Sequence, residues 1–197
     1  ARLTTFGDRI FAGDVAESVL FVRYKKQENT LCIFAEDEVP RYISSLCALD
    51  YDTVAASDKF GNFFVLRVPE DLDDSIDNSA GRRSLWDSAK RPKVILEAHY
   101  YVGDAITSIK KGALSAGGKE VLLVATISGG LHTFVPCSYK AEYDFFSTLQ
   151  NLMRREGTNP CGRDHRAFRS FYAPTRNTVD GDLCESFQML PFDKQLA

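Results

Sequence analysis

The stretch Ile43 to Pro69, ISSLCALDYDTVAASDKFGNFFVLRVP, leaves few choices of fold. Three short runs of strand-forming residues, Ile43–Ala48, Thr53–Ser57 and Phe63–Val68, are separated by turn-forming residues. Asp50-Tyr51-Asp52 suits the first turn, because Asp side chains bond nearby backbone amides. Asp58 to Asn62 suits a hairpin loop, with Gly61 supplying a positive φ at little cost. Pro69 ends the third run. Three antiparallel strands in so short a stretch form a meander, and a meander repeated about an axis is a propeller blade.

Flanking segments extend the pattern. Arg9–Ala12, Ser18–Tyr24 and Thr30–Phe34 precede the meander; Lys93–Tyr100, Ala105–Ile109, Glu120–Ile127 and Leu131–Val135 follow it. Val19 and Phe21 alternate with Leu20 and Val22, so apolar residues fall on both faces, which predicts a strand covered on both sides. Likewise Val121, Leu123, Ala125 and Ile127 are expected to face one neighbour, and Leu122 and Val124 the other. Consecutive strand pairs without a helical period between them predict a mainly β architecture of stacked antiparallel blades. At roughly 40–60 residues per blade, this stretch holds about two to three blades, whereas a closed ring needs about four to eight. The expected fold is therefore a partial β-propeller over residues 1–137. The opening residues include no Met, which reads as a piece of something longer. Glu70 to Asp77 carries five acids in eight residues, so 70–91 is expected to be a flexible insertion.

At Ser138 the period changes from two to 3.6. Tyr139, Tyr143, Phe146, Leu149 and Met153 predict one face of an amphipathic helix capped by Ser138, with Arg154 and Arg155 at its C-terminal end. A shorter helix is expected over Arg166–Tyr172. A third is expected from the cap Asp180, with Leu183, Phe187 and Leu190 on one face. Residues 138–197 thus read as a small α-helical C-terminal region.

The composition excludes more than it assigns. The net charge of −3 lacks the basic footprint of a nucleic-acid binder. No apolar run is long enough to span a membrane. The five scattered cysteines, Cys32, Cys47, Cys137, Cys161 and Cys184, read as reduced thiols of an intracellular protein. Cys161 and His165 are spaced to open a zinc site, but His99, His132, Cys137 and Cys184 form no matching second pair. A nucleophilic Cys161–His165 pair lacks a marked orienting group and oxyanion hole. The alternative is a junction between helices, with Arg163 and Asp164 in structural hydrogen bonds. Asp180-Gly-Asp182 lacks the later ligands of a calcium loop, and Ser128-Gly129-Gly130 lacks the residues that follow in a phosphate loop. Lys25-Lys26 and Arg82-Arg83 read as solvated loops. The expectation is no catalytic, metal or cofactor-binding residue and no enzyme. Trp86, in the insertion, reads first as a ring that tucks the loop onto the blade surface; the alternative makes it the one candidate partner contact, because exposed Trp is enriched at protein interfaces.

Several blocks carry a family likeness. VRYKKQENTLCIFAEDEVPRYISSLCALDYDTVAASDKFGNFFVLRVP from Val22, Leu85-Trp86-Asp87, Ser128-Gly129-Gly130, Asp144-Phe145-Phe146, CGRDHRAFRSFYAP from Cys161 and DGDLCESF from Asp180 resemble the spliceosome-associated propeller subunits of splicing factor 3b. The resemblance covers nearly the whole chain. Its wider superfamily includes the large damaged-DNA-binding subunit and the largest cleavage-and-polyadenylation specificity subunit. The resemblance implies three seven-bladed propellers and a helical C-terminal domain, with this chain spanning the end of the third propeller and the start of the helices. It also implies a nuclear scaffold that supports branch-site recognition in pre-mRNA splicing. Its implied partners are a large helical-repeat subunit and a very small helical subunit, with RNA only peripheral and no small-molecule substrate. The alternatives within the superfamily are a cullin ubiquitin-ligase adaptor and a subunit of the mRNA 3′-end processing complex.

Overall fold

Strand β6 (Thr53–Asp58) is buried at every residue, and the architecture follows from how it is covered. The computed structural model describes residues 1–72, 91–156 and 162–196. Three antiparallel sheets are stacked. The first runs β1 (Arg2–Phe6), β2 (Arg9–Gly13), β3 (Val19–Lys25), β4 (Thr30–Glu36). The second runs β5 (Ile43–Ala48), β6, β7 (Asn62–Arg67), β8 (Ile95–Tyr101). The third holds β9 (Ile106–Ala113), β10 (Glu120–Thr126) and β11 (Leu131–Phe134). Strand β5 lies beside β1 and also beside β9, so the first strands of the three sheets are neighbours, as the innermost strands of successive blades are. The protein is a partial propeller of stacked blades followed by short helices.

The two-residue period of β6 sorts its side chains between two cores. Val54 and Ala56 join Phe11, Val19, Phe21 and Phe34 of the first sheet, along with Phe64 and Leu66 of β7. Ala55 points the other way and joins Phe63, Tyr100, Ile106, Ile109, Leu122 and Val124. Small residues in the central strand leave room for rings on its neighbours. Phe11 and Phe21 meet edge-on at 5.2 Å, and Phe63 stacks on Phe134 at 4.1 Å. The hairpin tip at Gly61 (φ +93°) is locked as well: a Cβ there would lie 2.5 Å from the Asp104 carbonyl oxygen.

The outer sheets differ from expectation. Leu20 and Tyr24 of β3, and Leu123 and Ala125 of β10, are only half-buried, because each of these sheets meets the central one on one face. Ile127 lies just past β10 and is exposed rather than facing a neighbour. Strand β1 was not foreseen: its RLTTF is mostly exposed and lacks an apolar alternation, and it is held by its ladder to β2. At the two ends of the segment 70–91, Glu70–Leu72 form a 3-10 turn and Arg91 bonds the buried Glu36 carboxylate at 2.7 Å. Residues 73–90, with Trp86 and Arg82-Arg83, lie outside the described residues.

In the tail, α1 (Lys140–Glu156), α2 (His165–Phe168), α3 (Gly181–Glu185) and α4 (Phe192–Leu196) are joined by irregular segments and a 3-10 turn, Ser186–Met189. Helix α1 begins one residue later than a Ser138 cap requires; the Ser138 amide instead donates to the Glu142 carboxylate at 3.1 Å. Its buried residues are Gln150 and Met153; Met153 belongs to the predicted stripe, with Tyr143 and Leu149 half-buried, while Tyr139 and Phe146 of that stripe are exposed. The helix expected over Arg166–Tyr172 stops at Phe168, and Tyr172 sits in the left-handed region at φ +50°. Among the described residues, no helix is long and apolar enough to cross a membrane.

Phe64→Ala is expected to lower unfolding free energy by about 3–5 kcal/mol, because the fully buried ring fills the first interface. Leu31→Ala, at a position 58% exposed, is expected to change it by less than about 0.5 kcal/mol. Thermal or urea unfolding of the two variants measures both.

Candidate functional site

A cluster of buried polar groups, among them His99, Gln150 and Asp180, lies where the helical tail meets β8. As the last strand of the central sheet, β8 has an outer edge whose backbone groups need partners. The tail provides them. His99 and Arg176 exchange backbone hydrogen bonds of 3.0 Å in both directions, and the Tyr101 amide donates to the Arg169 carbonyl at 3.2 Å. Asn177 Nδ2 donates to the Glu97 carbonyl at 2.7 Å, and Thr178 Oγ1 to the His99 carbonyl at 3.2 Å.

Asp180 closes this junction. Its side chain is nearly inaccessible, at 5% exposure. Oδ1 accepts the amides of Asp182 at 3.1 Å and Leu183 at 3.3 Å, which makes it the cap of α3. Oδ2 accepts the Tyr100 hydroxyl at 2.8 Å and Arg169 Nε at 2.9 Å, and lies 2.8 Å from His165 Nε2. The Asp180 amide donates to Gln150 Oε1 of α1 at 2.7 Å. One residue therefore ties a strand of the central blade to three helices. Burial alone would raise the Asp180 carboxyl pKa. The Tyr100 hydroxyl and the charges of Arg169 and His165 outweigh it and hold the group below its ordinary value. Burial, then the Asp180 charge, pushes the Tyr100 hydroxyl pKa upward. The same two causes raise the Cys184 thiol, which suits a structural rather than a reactive cysteine.

A second seat lies nearby on the hairpin between β6 and β7. Asp58 Oδ1 accepts the amides of Phe60 at 2.9 Å and Asn62 at 3.0 Å, and its Oδ2 accepts Asn62 Nδ2 at 2.8 Å. The Tyr172 hydroxyl donates to the same Oδ2, so a tail residue is pinned to the hairpin. The rings of Phe60, Phe171 and Tyr172 cluster above it, 5.4–6.3 Å apart. Burial, then the neighbouring Arg41 charge, depresses the pKa of the fully buried His99 ring.

The sequence candidates land as follows. His165 is engaged by Asp180, and Asp164 forms a bidentate pair with Arg154 at 2.7–2.9 Å. Both are contacts of a helix junction. Cys161 lies outside the described residues. Cys32, Cys47, Cys137 and Cys184 are free thiols. Among the described residues, no three His, Cys, Asp or Glu side chains are grouped to hold a metal. Gly129 sits at φ +88° in the β10–β11 hairpin, the turn its neighbours suggested. Sequence reasoning identified Asp180 as a cap but missed the second oxygen's partners. It read Asp58 as loop and left Tyr100, Arg169 and Tyr172 unassigned.

Chemically, the junction is a set of mutually neutralising charges and saturated acceptors. Its hydrogen bonds run between elements, the arrangement of a structural clasp. Together with the stacked sheets it defines a propeller-type protein whose helical tail is bolted to a blade edge. The chain belongs to the family described as the CPSF A subunit region, whose model matches residues 1–189. It is 44% identical over 201 residues to a probable splicing factor 3B subunit 3 of Dictyostelium discoideum, covering 100% of this chain and 16% of the relative. Splicing factor 3B subunit 3 of Danio rerio is 42% identical over 198 residues, covering 97% of this chain and 16% of the relative. Pre-mRNA-splicing factor RSE1 of Mycosarcoma maydis is 43% identical over 196 residues, again covering 97% and 16%. The chain thus spans about one-sixth of the length of these relatives.

Because the folded-state pKa of Asp180 is depressed, its contribution to stability is present above the ordinary Asp value of about 3.9 and is lost as pH falls through the lower folded value. Asp180→Asn is expected to cost about 3–5 kcal/mol at pH 7, the cost of breaking a buried charge cluster, and to flatten the acid limb of the stability profile. Unfolding followed from pH 7 to pH 2.5 in both proteins tests this. Superimposable acid limbs would contradict it.

Proposed function

We propose that the chain is the end of the third propeller, residues 1–137, and the start of the helical domain, residues 138–197, of a scaffold subunit of the splicing factor 3b complex. In this reading it works in the nucleus, supporting branch-site recognition in pre-mRNA splicing through contacts with other proteins. The observation that carries the reading is whole-chain identity of about two in five to proteins named as splicing factor 3B subunit 3 and a pre-mRNA-splicing factor. The geometry agrees with a scaffold. Asp58, Asp180, Tyr100 and Tyr172 spend their polar atoms on one another and on backbone amides, in bonds that fix one element against the next. The partners in this proposal are the large helical-repeat subunit and the very small helical subunit, with RNA peripheral and without a small-molecule substrate. Trp86 is the candidate contact with one of them.

Affinity capture of the tagged full-length protein from nuclear extract tests the proposal. Recovery of the other splicing factor 3b subunits is the expected result, and Trp86→Ala is expected to reduce recovery of one of them. Recovery of a cullin, or of 3′-end processing factors, in their place would reject the splicing reading in favour of another branch of the superfamily.

A further inference from the structure

We infer that His99 makes the seat of the tail on β8 sensitive to mild acid, because its ring can hold a proton only when the segment 169–178 lifts away. His99 is fully buried on the strand whose edge this segment covers. Its backbone exchanges two hydrogen bonds of 3.0 Å with Arg176. The imidazole lies 6.5 Å from the ring of Tyr172 in the tail. On the sheet side His99 is opposite Phe64 of β7, and the Arg41 guanidinium lies over the Phe64 ring at 4.3 Å. The ring therefore sits between a packed blade and the tail, beside a buried cation.

The charges around His99 are already matched without it. The connection before β5 contributes Arg41, buried and paired with the buried Asp37, which also accepts Ser18 Oγ at 2.6 Å. The β6–β7 hairpin contributes Asp58, whose oxygens are filled by two amides, Asn62 Nδ2 and the Tyr172 hydroxyl. Lys59 of the same hairpin lies over the Tyr42 and Phe60 rings instead. The tail contributes Tyr172 and Arg176, and the Arg176 side chain is exposed. On β8 itself the neighbours are the half-buried Glu97 and Tyr101. Neither nitrogen of the His99 ring has a hydrogen bond of ordinary geometry among the described residues. Burial opposes a proton most and the Arg41 charge next, while Asp58 and the Pro174 carbonyl favour one and weigh less. The docked ring is therefore held neutral below its ordinary value of about 6.5, which it recovers on reaching water.

Packing decides which side gives way. On the sheet side, Phe64 shares a core with Val54, Ala56 and Leu66, and opening it breaks the blades apart. On the tail side, Phe171 and Tyr172 are about half exposed, and Tyr172 is in the left-handed region at φ +50°. Local opening draws on the least packed segment, so water reaches the ring by way of the tail. The sign follows from linkage. The open state binds a proton that the docked state excludes, so docking is at full strength above pH about 6.5 and weakens as pH falls through that value toward the lower docked one. This window lies above the one in which Asp180 takes up its proton. The inference does not depend on any role in splicing.

Amide hydrogen exchange of the full-length protein, corrected for the intrinsic pH dependence of exchange, tests this on peptides spanning 98–101 and 169–178. Between pH 7.5 and pH 5.5 the protection of both is expected to fall about tenfold, since pH 5.5 lies one unit below the ordinary His value. Protection of Val54 to Ser57 is expected to hold. His99→Asn puts a side chain that does not titrate in the same place and is expected to abolish the fall. His165, present in both proteins, cancels from the comparison. Deuterium uptake at the His99 ring C2–H, followed by mass spectrometry, reads the ring's own titration in the unaltered protein and is expected to place it below the ordinary value. Protection that is equal at the two pH values would overturn the proposal. So would an equal fall in His99→Asn, or a His99 ring that titrates at the ordinary value while the tail stays protected.

Discussion

A strand with no solvent-facing side must have a sheet against each face, and β6 is such a strand. Its residues Val54, Ala55 and Ala56 are all fully buried and point alternately to opposite sides. Neither the first nor the third sheet could be removed without exposing half of them. The apolar side chains of β2, β3 and β10 are in turn satisfied by the faces that β6 and β7 present. The order of sheets, the adjacency of β5 with β1 and β9, and the two separate cores are consequences of this single requirement. Burial of apolar area supplies the driving force. The close approach depends on Ala55 and Ala56 being small where the neighbouring residues are Phe.

The helical tail solves a different problem. Sheets stacked face to face still present bare edges, and the edge of β8 would attract another chain. Segment 169–178 covers it with backbone and amide hydrogen bonds, and Asp180 then fixes that segment in place. Burying a carboxylate is costly unless donors surround it. Tyr100, Arg169 and His165 converge on one oxygen and two backbone amides on the other. Stability and position are therefore coupled: the carboxylate that caps α3 through Oδ1 is held to Tyr100 of β8 through Oδ2. The Asp58–Tyr172 bond repeats the device on the neighbouring hairpin.

Much of the sheet structure was legible because its cause is local. Alternation in SVLFVRY and EVLLVATI, and turn residues at Asp50, Gly61 and Gly129, act within a few positions. Where local causes fail, so does the reading. Arg2–Phe6 is a strand only because β2 pairs with it, and its exposed polar sequence gives no sign of that. Apolar spacing in α1 placed Met153 on the contact face, but nothing in it marked Gln150, which is turned inward to accept an amide 30 residues away. Asp180 was readable as a cap from its immediate neighbours. Its role as a clasp was not, since Tyr100 is 80 residues distant and Arg169 and His165 lie 11 and 15 residues back, beyond an irregular segment. Strain at Tyr172 was hidden for the same reason, as its left-handed backbone is held by a contact 114 residues away.

The dependence of the fold on its doubly covered strand is measurable residue by residue. Native-state hydrogen exchange on the chain should find the amides of Val54 to Ser57 the slowest to exchange, opening only with global unfolding, while those of β1 exchange through local fraying. Amides of β6 that exchange as fast as those of Arg2–Phe6, well below the global unfolding free energy, would contradict the account.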